Sequence, residues 1–279
     1  MRSRRSSLTG GRATFLKPVA IGLLAWAALA APQPTPESEA AAVLERGRKA
    51  ALEYVHSLPD FVCTEVIRRY AAPNDRSAGL RFEDWRLNDT LTVQLGYFEG
   101  KEQHKLTLID GNPADQTYES VGGSVGSGEF GGMMYSIFDP SSAATFRWGK
   151  WKNVRRRRAA VYSYEVQQPH SRYLLVSRGS GSPLSAVVGF HGELEVDRET
   201  GAVLRLTYVA DRIPKELRLD SAVTTVVYDF TDVGGRSYLL PANSETVLEG
   251  PRESTRNHMD FRNYGKFSSE SFISFGDAK

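Results

Sequence analysis

Apolar and polar side chains alternate with a period of two along most of the chain after residue 60. The clearest instance is the segment 91–97 (LTVQLGY), in which every second residue is large and apolar. Successive side chains of a β-strand point to opposite faces of the sheet, so this period predicts a strand with one apolar face. The same pattern predicts strands at 106–108, 162–166, 188–196, 204–208, 226–230, 238–240, 259–261 and 272–275.

Short turn sequences join several of these predicted strands. Asp197 to Gly201 (DRETG) lies between two alternating segments, and Gly234-Gly235 lies between two others, so both predict β-hairpins. Consecutive strands that are joined by short turns and keep one polar face indicate a mainly antiparallel sheet. The apolar face of such a sheet must be covered by another element.

Two predicted helices are candidates for that cover. Residues 38–57 place Leu44, Ala51, Val55 and Leu58 on one helical stripe, which ends at Pro59. A glycine-rich stretch at 122–132 then leads into a short apolar helix over 133–138. A loop rich in glycine that precedes an apolar helix predicts either a lid across the sheet or a core helix with a mobile approach.

The N-terminal thirty residues have the features of a cleavable signal peptide. Basic residues without any acidic residue precede the apolar run 19–30 (VAIGLLAWAALA), which ends in the small residues that a signal peptidase accepts. That run is shorter than the roughly 20 residues that span a bilayer. We therefore expect cleavage after Ala30, export to the periplasm or cell envelope, a single β-rich domain at 31–279, and no transmembrane span thereafter. The alternative is a leader that is kept as an anchor.

Composition limits the classes of partner. The net charge is +2 and draws partly on the leader, so the exported domain is near neutral. A nucleic-acid partner is not expected, because such proteins carry a basic face. Cys63 is the only cysteine and cannot form an intramolecular disulfide, so the fold relies on packing.

Catalytic and metal motifs match only weakly. Residues 122–126 (GGSVG) fit the G-x-S-x-G pattern of serine hydrolases with Ser124 as nucleophile, but more glycine follows where a helix is required. Residues 126–131 (GSGEFG) fit G-x-G-x-x-G outside any βαβ unit. The five histidines are scattered without metal-ligand spacing. We expect no catalytic residue, no metal and no cofactor, and hence a protein that is not an enzyme.

The strands of the C-terminal half resemble a known group of proteins. The hairpin 188–210 and the stretch 226–241 (VVYDFTDVGGRSYLLP) resemble the C-terminal half of LolA-like periplasmic lipoprotein carriers and of the related sigma-factor regulator RseB. With 58–70 and 263–275, the whole chain looks like a group of exported bacterial proteins. The resemblance implies a mainly β fold with a few helices. It implies an incurved antiparallel sheet, or half-barrel, that is covered by the N-terminal helix and the short central helix.

The same resemblance implies binding rather than catalysis. An apolar concave face can shield a lipid, a lipoprotein acyl chain or another apolar ligand from water. The candidate groove or plug residues are Phe130, Met133, Met134, Ile137, Phe138, Tyr228 and Phe230. Each of them is alternatively a closed core contact. Two other functions stay open: a non-enzymatic envelope sensor or protein-interaction domain with an envelope protein partner, and a serine hydrolase.

Overall fold

β-Strands make up most of the chain in the computed structural model, which describes residues 35–73, 84–121, 128–177 and 184–268. The predictions for the leader 1–30, for Ser124 and for a strand at 272–275 lie outside these residues. The strands are β1 (Phe61–Pro73), β2 (Arg86–Phe98), β3 (Lys101–Ile109), β4 (Asn112–Pro113), β5 (Thr145–Val154), β6 (Arg157–Val166), β7 (Leu174–Ser177), β8 (Leu184–Val187), β9 (Gly189–Asp197), β10 (Val203–Asp211), β11 (Ser221–Val233), β12 (Arg236–Glu249) and β13 (Glu253–Lys266).

Two α-helices lie among the described residues: α1 (Pro36–Ser57) and α2 (Gly132–Phe138). The side chain of Thr35 caps α1 by accepting a hydrogen bond from the Ser38 amide at 3.2 Å. The buried ridge of α1 consists of Ala40, Val43, Gly47, Ala51 and Tyr54. The predicted stripe therefore had the right helical period but lay to one side of this buried ridge. Ala51 is the only residue that belongs to both. Neither described helix is long and apolar enough to span a membrane.

Among the described residues, eleven strands form one antiparallel sheet in the order β4-β3-β2-β1-β13-β12-β11-β10-β9-β6-β5. Most neighbours in the sheet are neighbours in the chain. Two pairings are exceptions: β6 pairs with β9 although β7 and β8 lie between them in the chain, and β1 pairs with β13, which joins the two ends of the folded unit. The two edge strands do not pair with each other, so the sheet is not closed into a barrel. This confirms the predicted fold class: an open antiparallel half-barrel with a helical cover.

Two apolar clusters fill the inner face of the sheet, which we define as the face that α1 and α2 cover. The first cluster joins both helices to alternate residues of β6, β9, β10 and β11, among them Tyr162, Leu194, Leu206 and Tyr228. The second lies on β1, β2, β3, β12 and β13 and includes Phe61, Val93 and Phe261. Burial of this apolar area from water is the main force that holds the helices to the sheet.

The predicted 197–201 hairpin turn also positions α1. The buried Asp197 carboxylate accepts hydrogen bonds from the Thr200 amide at 2.8 Å and from the Glu199 amide at 3.1 Å. Gly201 has a φ of +76°, and a side chain there would collide with the backbone of Arg46 on α1. The turn therefore brings the β9–β10 end of the sheet directly against α1.

Candidate functional site

Residues 128–138, which we call the plug segment, lie across both apolar clusters of the inner face. Phe130 belongs to the cluster on β1–β3, β12 and β13. Met133, Met134, Ile137 and Phe138, all on α2, belong to the cluster that joins α1 to the other half of the sheet. One short segment that is not part of the sheet therefore fills space in both halves of the inner face.

The Phe130 side chain is enclosed by aromatic rings from three strands. Its ring centroid lies 5.3 Å from that of Phe61, 6.1 Å from that of Tyr97 and 5.5 Å from that of Phe261. The last pair is edge-to-face, a preferred geometry that adds about 0.5–1.5 kcal/mol beyond area burial. Phe130 is thus the apolar anchor of the plug segment.

Hydrogen bonds hold the backbone of the plug segment at both ends. The Tyr228 hydroxyl donates to the Glu129 carbonyl oxygen at 2.9 Å, and the Arg48 guanidinium donates to the Phe138 carbonyl oxygen at 3.2 Å. Between them, Gly131 has a φ of +99° and lies against Tyr54 of α1. The segment is therefore fastened to β11 and to α1 by few polar contacts.

The structure brings six of the seven predicted groove or plug residues together. The five on the plug segment are buried, and Tyr228 is buried beneath it. Phe230 is separate: it is half-buried in a small cluster with Ala159 and Leu204, under the guanidinium of Arg157 at 4.5 Å from its ring centroid. Ligand contact by any of the seven stays a prediction.

Carboxylates that sequence reasoning missed lie beside this apolar anchor. Glu65 on β1 and Glu129 on the plug segment are both buried. One Glu65 carboxylate oxygen, Oε2, has no hydrogen-bond partner among the described residues, and Oε1 of Glu129 accepts a long hydrogen bond of 3.5 Å from the Ser244 hydroxyl. A buried carboxylate without full hydrogen bonding is costly in its charged form.

Burial and mutual repulsion favour the protonated form of these acids. Burial, followed by the charges of Glu129 and Glu102, raises the pKa of Glu65 from 4.5 to about 8. Burial, followed by the charge of Glu129, raises the pKa of Glu102 on β3 to about 7. Burial also raises the pKa of Glu129. The three carboxyl groups are therefore coupled across β1, β3 and the plug segment.

His104 and Tyr118 complete the polar edge of this region. His104 Nε2 lies 3.9 Å from the Glu102 carboxylate, and its ring stacks on that of Tyr118 with centroids 5.1 Å apart. Within the described part of the chain, no three His, Cys, Asp or Glu side chains are arranged to hold a metal ion. The region is therefore suited to hydrogen bonding and proton exchange beside an apolar surface.

The sequence contains a signal for this acid site. In β1 the inward positions are Phe61, Cys63, Glu65 and Ile67, so Glu65 is an acid at an apolar position of an alternating strand. Cys63 is buried two residues away, and burial raises the pKa of its thiol, which keeps the thiol protonated.

Comparisons with known proteins concern fold alone. No family model and no curated protein matches the chain. Similar solved structures include a domain described as an outer membrane lipoprotein-sorting protein domain from Vibrio parahaemolyticus (10% identity, 84% of this chain and 97% of that chain covered, TM-score 0.33). Others are a DUF1329 family protein from Desulfovibrio piger (11%, 83% and 96%, 0.33) and a LolA superfamily protein from Nitrosomonas europaea (11%, 84% and 96%, 0.27). At these TM-scores, none of them indicates what this chain binds.

Proposed function

We propose that this chain is an exported envelope protein that binds an apolar ligand, such as a lipid or a lipoprotein acyl chain, on the inner face of its sheet. The ligand takes the place of the plug segment. Export rests on the leader 1–30, and the proposal assigns no catalytic step to the protein. The observation that carries it is the position of residues 128–138, whose apolar side chains fill both clusters of the inner face.

The plug segment is suited to displacement because it is local and is held mainly by apolar contacts, which an apolar ligand can replace. It follows a glycine-rich stretch of sequence and contributes no strand to the sheet, so its removal breaks no strand pairing. Its adjacent methionines, Met133 and Met134, are flexible side chains that adapt to irregular apolar surfaces. An acyl chain that replaces them recovers about 0.8 kcal/mol for each methylene that it buries.

The unpaired carboxyl groups support a ligand site rather than a permanent core. Inside a core that serves only stability, Glu65 and Glu129 would be replaced by apolar residues at little cost. Displacement of the plug segment removes Glu129, whereas Glu65 on β1 and Glu102 on β3 stay on the sheet, where they face the ligand and accept hydrogen bonds from hydroxyl or amide groups near the head of an acyl chain. This arrangement favours an amphipathic ligand over a pure hydrocarbon.

The filled inner face also favours a second candidate, a non-enzymatic sensor or protein-interaction domain. In that function α1, α2 and the sheet form a permanent core, and an envelope protein binds elsewhere on the surface. The two candidates differ in one property, because only the first requires an apolar ligand to enter the space between α1 and the sheet.

Titration with the fluorescent fatty acid cis-parinaric acid separates these candidates. We expect the chain from Ala31 onward to bind the probe saturably at one site, and palmitate to compete for it. Lysozyme at the same concentration controls for non-specific partition of the probe. Lack of saturable binding, combined with a specific cross-link to an envelope protein, would contradict ligand binding and favour the interaction domain.

A further inference from the structure

The exposed large hydrophobic side chains are concentrated on one small hairpin. Among the described residues, five such side chains are exposed, and four of them lie on β7 and β8. Those four have exposed fractions between 41% and 53%: Leu174, Val176, Leu184 and Val187. The fifth, Leu87, is 54% exposed and lies alone on β2. Single exposed apolar residues are ordinary, whereas a contiguous group marks an interaction surface.

The hairpin has one face in the protein and one face in solvent. Leu175 and Ala186 pack against Leu217, which anchors the hairpin to the main body. Leu174 and Val187 are directly opposite each other in the β7–β8 register, so they share the solvent face. Val176, two residues from Leu174, points the same way. Three aliphatic side chains therefore form a continuous outer surface, with Leu184 close to the hairpin tip.

Unpaired cations lie directly beside this apolar surface. Val187 borders a pocket of about 480 Å³ that is also lined by Arg147 and Arg212. Neither arginine has an ion-pair or hydrogen-bond partner among the residues that the structure describes. Lys215 adds a third cation, since the turn Lys215–Leu217 packs against β8.

The acidic groups of the same region are mostly engaged. The His191 ring donates a hydrogen bond through Nδ1 to the Asp211 carboxylate at 2.7 Å, and Glu165 accepts one from the Gln167 side-chain amide. Glu216, next to Lys215, is the acidic group that offsets the cations. The formal charges of these groups balance, but Asp211 and Glu165 are hydrogen-bonded, whereas the guanidinium groups of Arg147 and Arg212 have no partner among the described residues and are available to an anion.

From these observations we propose that the β7–β8 hairpin is a docking surface for an anionic phospholipid bilayer. The side chains of Leu174, Val176 and Val187 enter the interface between headgroups and acyl chains, and Arg147 and Arg212 contact lipid phosphates. A protein partner fits less well, because leucine and valine are under-represented among the residues that dominate protein interfaces. A bilayer rewards aliphatic burial and adjacent positive charge together.

Vesicle co-sedimentation tests this surface with the chain from Ala31 onward, which lacks the apolar leader and contains the whole unit that begins at Thr35. We expect binding to vesicles of phosphatidylcholine mixed with phosphatidylglycerol, and weaker binding to phosphatidylcholine alone. The double variant Leu174→Ser/Val187→Ser is expected to lose at least about tenfold in partition. Arg147→Gln/Arg212→Gln is expected to lose about 25-fold on the anionic vesicles, from about fivefold for each charge.

Matched control variants keep the test specific. Leu87→Ser and Arg86→Gln alter an equally exposed leucine and an exposed arginine on β2, and both are expected to bind like the unchanged chain. All these positions are exposed, so far-ultraviolet circular dichroism should be unchanged throughout. If Leu174→Ser/Val187→Ser binds anionic vesicles as well as the unchanged chain does, the proposal is overturned. Failure of the unchanged chain to bind anionic vesicles also overturns it. Concentration-dependent dimerisation that Leu174→Ser/Val187→Ser abolishes, without vesicle binding, assigns the surface to a second copy and also overturns it.

Discussion

Replacing Gly131 with alanine is expected to lower the free energy of unfolding by about 2–4 kcal/mol and to release the plug segment from α1. The φ of +99° at this position is one that residues with a side chain rarely adopt. An added Cβ would also lie 2.4 Å from a ring carbon of Tyr54, which is buried and cannot retreat easily. Both effects act on the junction between the plug segment and α1.

The adjacent glycine is a matched control for this change. Gly132 is the first residue of α2, and a Cβ there meets no atom within 4 Å. Gly132→Ala is therefore expected to be neutral or to stabilise by up to about 1 kcal/mol. Urea unfolding measures both changes. Equal midpoints for the two variants would contradict the geometry at Gly131.

The same pair of variants links stability to binding. If the ligand displaces the plug segment, the intact contacts at Gly131 reduce apparent affinity by keeping the binding-competent state rare. Gly131→Ala is then expected to bind cis-parinaric acid about tenfold or more tightly, while Gly132→Ala binds like the unchanged chain. Weaker binding by Gly131→Ala would show that the segment assists the ligand rather than competing with it.

Replacing Glu65 with glutamine is expected to remove much of the pH dependence of stability. The pKa of Glu65 is raised to about 8 in the folded state, so between pH 4.5 and pH 8 the folded protein holds a proton that the unfolded chain releases. Stability is therefore complete at the acidic end and falls as the pH rises, by up to about 1.4 kcal/mol for each pH unit. Over the whole window the loss is on the order of 3–5 kcal/mol.

Denaturant unfolding at several pH values between 5 and 8 (about one unit apart) measures this slope. Glu65→Gln should be more stable than the unchanged chain at pH 8 and similar to it at pH 5. A residual slope is expected from Glu102 and Glu129, which face Glu65 from β3 and the plug segment. The exposed Glu193 on β9 is the control, and Glu193→Gln should leave the slope unchanged. Glu65→Gln with an unchanged slope would contradict the burial of the Glu65 carboxyl group beside Glu102 and Glu129.

Local patterns in the sequence predict the sheet well where strands alternate strictly. The segments 91–97, 162–166 and 226–230 all lie within observed strands, and the turn at 197–201 forms the predicted hairpin. In these segments one face of the strand packs on the core and the other faces solvent. Apolar and polar residues therefore alternate along the sequence with the period of two that a strand has. The short helix was predicted on different grounds, from the run of apolar residues that follows the glycine-rich stretch.

Other elements depend on contacts that no local pattern contains. β5 (TFRWGKWKNV) carries aromatic and basic residues at an edge of the sheet and has no clean apolar alternation. The pairing of β1 with β13 joins residues that lie almost 200 positions apart, which sequence periodicity cannot specify. The buried ridge of α1 differs from the predicted stripe because the small residues Ala40 and Gly47 permit close approach of the helix to the sheet. The larger Leu44 lies beside this ridge.

The candidate site was predictable only in its apolar part. Adjacent apolar residues at 130–138 suggested a plug, and Phe130 is indeed enclosed by Phe61 and Tyr97. The coupling of Glu65, Glu102 and Glu129 arises from three separate elements that meet only in the folded chain. Phe230 was grouped with Tyr228 because they are two residues apart, but it packs in a different cluster, with Ala159 and Leu204.

Amide hydrogen exchange of residues 128–138, measured with and without saturating palmitate, tests the displacement of the plug segment most directly. Displacement predicts that these amides exchange faster in the complex, while amides of β9, β10 and β11 keep their protection. Gly132→Ala should behave like the unchanged chain. Slower or unchanged exchange at 128–138 when palmitate is bound would contradict the claim that an apolar ligand replaces this segment on the inner face.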